Sequence, residues 1–250
     1  MMQQVWTWLT ASINWHGGDS IPTRLLQHIE YCMITLAIAV IIAIPLGSWI
    51  AHCGQGRWII SAVNALRAVP SLWLLLIVTL WLQSKLANVL VYTVSSVIVL
   101  VILAVPPLLA GAYVGVSEVD PVTSDAARGM GMTSAQVFSK IEFPCAIPLI
   151  FSALRSAILQ TVATTTIAAY VSIGGLGRYL VDGLAQNNYP KMAAGAILVA
   201  TLALVADLLL GSVQGAVVSP GLSGRSARRC RGNESQKDAD HLDDPSELAI

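Results

Sequence analysis

Charge is the scarcest commodity in this 250-residue chain: Asp, Glu, Lys and Arg together make up 11% of it, against 55% for hydrophobic residues. A soluble domain carries about 25% charged residues, so too little polar surface is present to face water on every side. The 14 basic and 14 acidic residues cancel. No basic stripe interleaved with aromatics occurs, which argues against a nucleic-acid partner. Cys32, Cys53, Cys145 and Cys230 form no CxxC pair, and His16, His28, His52 and His241 show no HExxH-type spacing. Neither a disulfide framework nor a metal site is therefore expected. No basic segment followed by a short apolar core opens the chain, so no cleaved signal peptide is expected. Gly174-Gly175-Leu176-Gly177 is followed by Arg178-Tyr179. A phosphate-cradling loop needs Lys and Ser or Thr there, so the chain is not expected to hydrolyse ATP, and no cofactor is implied.

What the chain has instead is apolar length. Five stretches, about 25–51, 58–83, 86–116, 144–173 and 192–218, reach the roughly 20 residues a helix needs to cross hydrocarbon. They predict an all-α, polytopic transmembrane helix bundle of about five spans, one domain over 24–218. Residues 1–23 carry Trp6, Trp8 and Trp15, whose half-polar rings suit an extracytoplasmic membrane interface. Residues 219–250 turn to Ser, Gly, Arg and acids and read as a disordered cytoplasmic tail. Proline lacks an N–H and biases its predecessor away from helix. Pro45 with Gly47 thus predicts a kink in the first span, Pro70 a break in the second, and Pro106-Pro107 an interruption of the third. Gly174, Gly175 and Gly177 predict a hinge or gate, followed over 178–191 by a polar loop with up to one turn of helix.

Positive charge sets the orientation. With the N-terminus outside, Arg24, Lys85, Arg178 and Lys191 lie outside. Arg57, Arg128, Lys140, Arg225, Arg228, Arg229, Arg231 and Lys237 lie inside. Arg67 and Arg155, taken as close to span ends, are not counted. The inside excess predicts N-out, C-in, which puts residues 117–143 in the cytoplasm.

That loop is the most specific part of the chain. Asp120 is a good helix N-cap and Pro121 suits the first helical position. Gly129 and Gly131 can end that helix in a left-handed conformation. Thr133 and Gln136 fit a capping box opening a second helix. Two short capped helices joined at a glycine form a compact knob able to pass force from a soluble motor into membrane helices. Ala126 and Ala127 keep one face small, and Asp125 and Arg128 offer polar contacts at the rim.

Asp125-Ala126-Ala127, then Gly131, then Ile141 and Pro144 closely resemble the cytoplasmic coupling loop of ABC importer permeases. Val119-Asp120-Pro121, Arg67-Ala68-Val69-Pro70-Ser71-Leu72 and the Gly174–Gly177 run resemble the branch that imports glycine betaine, carnitine, choline or proline betaine. The likeness covers roughly residues 24–218. It implies a type I ABC importer permease fold in a prokaryotic cell (inner) membrane. The expected partners are two ABC ATPase subunits, an extracytoplasmic substrate-binding protein, a second permease copy or paralogue, and the lipid membrane. Asp125, Ala126, Ala127, Arg128, Gly131, Ile141 and Pro144 would couple to the ATPase. Pro70 and the three glycines are gate or hinge candidates. Asp125 stands where Glu is usual and Phe143 where Leu is common.

Asp207 lies within the fifth span, where charge is costly and faces protein or water; it is a candidate for the translocation path or for helix pairing. A quaternary ammonium is recognised by aromatic faces and carboxylates, which adds Trp73 and Tyr170 as path candidates among several span aromatics. Other readings are an importer of another small zwitterion such as an amino acid, and a membrane scaffold or channel subunit. An intramembrane enzyme would need paired catalytic groups, and Asp207 alone is clearly placed in a span.

Overall fold

The computed structural model describes residues 2–54, 57–85, 90–171 and 173–217; the expected tail over 219–250 lies outside the described residues. The elements in chain order are α1 (Met2–Thr10), α2 (Ile21–Cys53), α3 (Arg57–Ala65), α4 (Ser71–Gln83), α5 (Leu90–Ser117), α6 (Pro121–Gly129), α7 (Ser134–Val137), α8 (Phe143–Ala168), α9 (Gly177–Ala185) and α10 (Tyr189–Val217). Every regular element among the described residues is helical. Four helical stretches are long and apolar enough to cross a membrane: α2, α5, Ser134–Val171 and Tyr189–Gly215.

A fifth crossing follows from parity. Leu36, Ala39 and Ala43 of α2 pack with Ala104, Leu108 and Leu109 of α5. Nearer the helix ends, Ile44 and Ala51 lie against the cluster holding Ala112 and Val116. Contact positions rise together, so α2 and α5 run parallel. Two parallel neighbours cannot be joined without one further crossing between them. Trp58–Ala68 and Ser71–Gln83, bent by 93° at Pro70, supply that crossing as one broken span. Val69 is extended there (φ −73°, ψ 126°), as the residue before a proline should be.

The core is built by close approach. A Cβ on Gly47 would meet the carbonyl of Leu109, one on Gly111 the Cβ of Ala153, and one on Gly115 Ala146. Lipid offers no hydrophobic drive between helices, so small residues that let backbones meet supply the packing. Arg24 to His28 of α2, Val162 of α8 and the Gly174-Gly175 turn gather at one end of the bundle. His52 and the α6–α8 segment gather at the other.

Four expectations need correction. Pro106-Pro107 does not interrupt the third span, since α5 is one helix through both; the packing of α2 and α8 on either side holds it. α2, where a kink is expected, also carries Pro45 inside one continuous helix, which a kinked helix does too. Residues 178–191 are not mainly loop. α9 fills most of that stretch, because Tyr179, Gly183 and Gly177 give it a buried face against its neighbours. Arg155 is not near a span end but in the middle of α8. Gly129 stays helical, and Gly131 takes the left-handed conformation alone (φ +86°).

Candidate functional site

At one end of the bundle, α6 and α7 form the knob that the spacing predicts. The Asp120 carboxylate accepts the Val122 N–H at 2.9 Å, with Pro121 at the first helical position. At the far end of α6, Gly131 N–H donates to the Arg128 carbonyl (2.9 Å) and Met132 N–H to the Ala127 carbonyl (3.2 Å). This pair of bonds satisfies the carbonyls a helix end leaves free, and it requires the positive φ of Gly131. The capping box at Thr133 is complete, with Thr133 N–H donating to Gln136 Oε1 at 2.9 Å. Ala127 and Val137 are buried inside the knob. Asp125, Ala126 and Arg128 face outward, with Arg128 Nη1 3.5 Å from Asp125 Oδ1. Val122 and Met130 are exposed beside them, so the tip offers apolar and charged groups together.

The knob is tied to the first span by contacts that the sequence did not reveal. Residues Phe138–Glu142 form one π-helical turn, in which Phe143 N–H bonds back to the Phe138 carbonyl, one residue before Pro144. Ile141 lies in that turn and Pro144 just after it, both half-buried. The turn brings Glu142, which is buried, against His52 of α2. The His52 ring places Nδ1 2.6 Å from Glu142 Oε2 and Nε2 2.8 Å from Ser134 Oγ. Phe138 packs edge-on against the same ring at 5.2 Å. π-turns of this kind recur at functional sites. An apolar cleft of about 460 Å³, lined in part by Pro45, Trp49, Ala135 and Phe143, opens beside it.

At the opposite end, Gly175 adopts φ +94° and donates its N–H to Gln27 Oε1 at 3.1 Å. Arg24 donates to the same Gln27 oxygen (3.0 Å) and pairs with Asp19 (2.5 Å). The fully buried His28 puts Nε2 3.2 Å from the Val162 carbonyl. Gly177 sits so close to Thr166 that any Cβ would strike its carbonyl. The three gate candidates are thus clasped to α2 and α8. Behind them Tyr179 donates to the Asp19 carbonyl at 2.7 Å. Burial pushes that phenol up to about 12, with the Arg24 guanidinium pulling the other way.

In the middle of the bundle, Asp207 of α10 has a partner in Arg155. Nε lies 2.5 Å from Oδ1 and Nη2 2.7 Å from Oδ2, a bidentate fork that joins α8 to α10. Gly211 lies beside the guanidinium. Gln160, also on α8, donates to the Leu103 carbonyl at 3.2 Å and accepts from Arg67 Nη2 at 2.8 Å. Trp73 and Tyr170 are largely exposed. Among the described residues no hydrogen bond, ion pair or ring contact joins them to each other or to Asp207. Pro70 is exposed at the bend between α3 and α4.

Membrane helices packed through small residues, with a doubly capped knob at one end, have the form of a membrane permease. The chain belongs to the family of binding-protein-dependent transport system inner membrane components, whose pattern matches residues 39–218. It is 32% identical over 200 residues to the carnitine transport permease protein OpuCD of Listeria monocytogenes, covering 79% of this chain and 86% of the relative. It is 30% identical over 199 residues to the carnitine transport permease protein OpuCB of Listeria monocytogenes (79% and 88%). It is also 27% identical over 224 residues to the glycine betaine/carnitine/choline transport system permease protein OpuCB of Bacillus subtilis (89% and 98%). Its fold matches an inward-facing MetNI methionine ABC transporter with a TM-score of 0.67 at 19% identity, covering 78% of this chain and 95% of that one. This last likeness speaks to fold alone: the type I ABC importer permease fold.

Proposed function

We propose that this chain is the permease subunit that carries a quaternary-amine osmoprotectant, such as glycine betaine, carnitine, choline or proline betaine, across the inner membrane. The observation that carries the substrate class is the run of relatives named for carnitine, choline and glycine betaine transport, which cover between 79% and 89% of this chain. A binding protein delivers the solute outside, and ATP hydrolysis happens on separate subunits seated on the cytoplasmic knob. This chain, with a second copy or a paralogue, lines the path.

The coupling role of Asp125, Ala126, Ala127, Arg128, Gly131, Ile141 and Pro144 is supported by the knob's rigidity. Force applied at the exposed tip reaches α8 through the π-turn and reaches α2 through His52–Glu142. Movement between two global states then follows the nucleotide state of the partner, as a population shift requires. At the outer end, the clasp of Gly174 and Gly175 on α2 supports a gate that opens by releasing Gln27, with Gly177 as its fixed pivot. The test is uptake of labelled glycine betaine at high osmolarity in cells lacking this gene and every redundant carrier. Restoration by the wild-type gene supports the reading. Absence of restoration, with the transporter assembled in the membrane, moves the substrate to another small zwitterion.

A further inference from the structure

Arg67 stands apart from the other arginines whose side chains the structure describes. Arg24, Arg128, Arg155 and Arg178 each pair with an aspartate. Among the described residues no carboxylate lies within ion-pair distance of Arg67, and its one hydrogen-bond partner is the neutral Gln160. That bond is the outer end of a chain that begins with a proline. Pro107 has no N–H, so the carbonyl four residues back, Leu103, loses its helical partner. Gln160 donates to that carbonyl at 3.2 Å. Leu103 can only accept and Arg67 can only donate, so both ends of the Gln160 amide are determined. Leu103 lies halfway along α5, and the chain therefore fixes Arg67 near mid-membrane depth. The guanidinium is exposed at the bend of the broken span, where Leu66, Val69 and Leu72 are also exposed.

A cation held at that depth is expensive unless it faces water or an anion. A guanidinium with most of its five donors free is shaped for a carboxylate. We propose that Arg67 is the fixed positive charge of the translocation path and engages the carboxylate of a zwitterionic substrate. The path then favours solutes that carry an acid group beside their quaternary ammonium, and disfavours bare cations such as choline. This assignment rests on the osmoprotectant reading above and narrows it to the zwitterionic members of the class.

The test uses the whole transporter with its ATPase subunits and binding protein, in vesicles. Uptake of labelled glycine betaine and of labelled choline is measured for wild type, Arg67→Gln and Arg67→Lys. Co-purification of all subunits is checked for each. The expected result is a fall of about tenfold in the glycine betaine to choline ratio for Arg67→Gln, the order expected for losing one charged hydrogen-bonded contact, with partial recovery in Arg67→Lys. An unchanged ratio overturns the proposal and leaves the osmoprotectant reading standing. A proportional loss of both solutes assigns Arg67 a structural role, and loss of the second permease chain from the complex assigns it to the interface; either overturns the proposal. Wild-type uptake of choline without glycine betaine overturns this assignment and leaves the osmoprotectant reading standing, whereas failure of wild type to take up either solute removes the osmoprotectant reading itself, and this assignment with it.

Discussion

α5 and α10 are both long apolar helices, yet they are held in different ways. Half of the most apolar window of α5 is buried within the chain (50%), against 11% for α10. α5 is gripped by backbone proximity, with Gly111 against Ala153, Gly115 against Ala146, and Gly47 of α2 against its Leu109 carbonyl. α10 touches α9 through Gly183 and Gly195, and α8 through the Arg155–Asp207 fork. Small-residue contact distributes its contribution over many atoms and forbids size changes. A membrane ion pair concentrates it in two side chains and forbids the loss of either one. The first suits a core that must not move. The second suits a helix that stays attached while the rest of its surface meets lipid or another chain.

The comparison breaks most sharply at Asp207. Asp207→Ala leaves the Arg155 charge unpaired within a membrane span, which costs more than the pair itself contributes. The expected outcome is the largest fall in thermal stability of any variant named here, with poor yield in detergent. Arg155→Leu combined with Asp207→Leu recovers most of the loss. Measured melting of the three purified proteins decides this, and a double variant no better than the single would mean that the fork does more than hold a helix.

The core side breaks next. Gly111→Val places two methyls on Ala153, and overpacking of this kind typically destabilises by about 1–3 kcal/mol. Ala153→Gly in the same chain should return part of the loss, because the clash lies between these two positions. Asp207→Ala should show no rescue by Ala153→Gly, which separates the two modes of attachment. An effect of similar size is expected at the knob, which hangs on the hydrogen bonds of His52 to Glu142 and Ser134. Replacing His52 by Ala strands the buried Glu142 carboxylate, a loss of about 1–3 kcal/mol. It should also lower solute moved per ATP hydrolysed more than it lowers stability. Smallest is Gly131→Ala. Open space surrounds the position a Cβ would take, so the cost is the left-handed backbone alone, about 1–2 kcal/mol. Gly131→Asn should cost less, since Asn tolerates that conformation.

Much of the fold was legible because it is written locally. Apolar runs fixed the number of spans, Val69-Pro70 the break, and Asp120, Thr133 and Gln136 the caps of the knob. Features that depend on distant neighbours were not legible. α5 continues through Pro106-Pro107 because packing from α2 and α8 overrides a local helix-breaker, and Gln160 answers the freed Leu103 carbonyl from 57 residues away. The polar stretch after the glycines became α9 because Tyr179 buries its ring and donates to the Asp19 carbonyl, 160 residues back. For the functional residues the division is similar. Asp207 is visible as a misplaced charge, but its partner is not, because the apolar pattern alone puts Arg155 near a span end. His52, Glu142 and Ser134 carry no local signature; a π-turn and three elements assemble them.

The central claim is that a rigid knob passes the work of ATP hydrolysis into these helices to move a solute. The most direct test measures glycine betaine uptake and ATP hydrolysis in parallel on the reconstituted transporter, comparing wild type with Gly131→Trp. The account predicts that Gly131→Trp inserts in the membrane at wild-type levels while uptake falls by about tenfold or more, and that uptake falls further than ATP hydrolysis does. Wild-type uptake in a well-assembled Gly131→Trp transporter would contradict it.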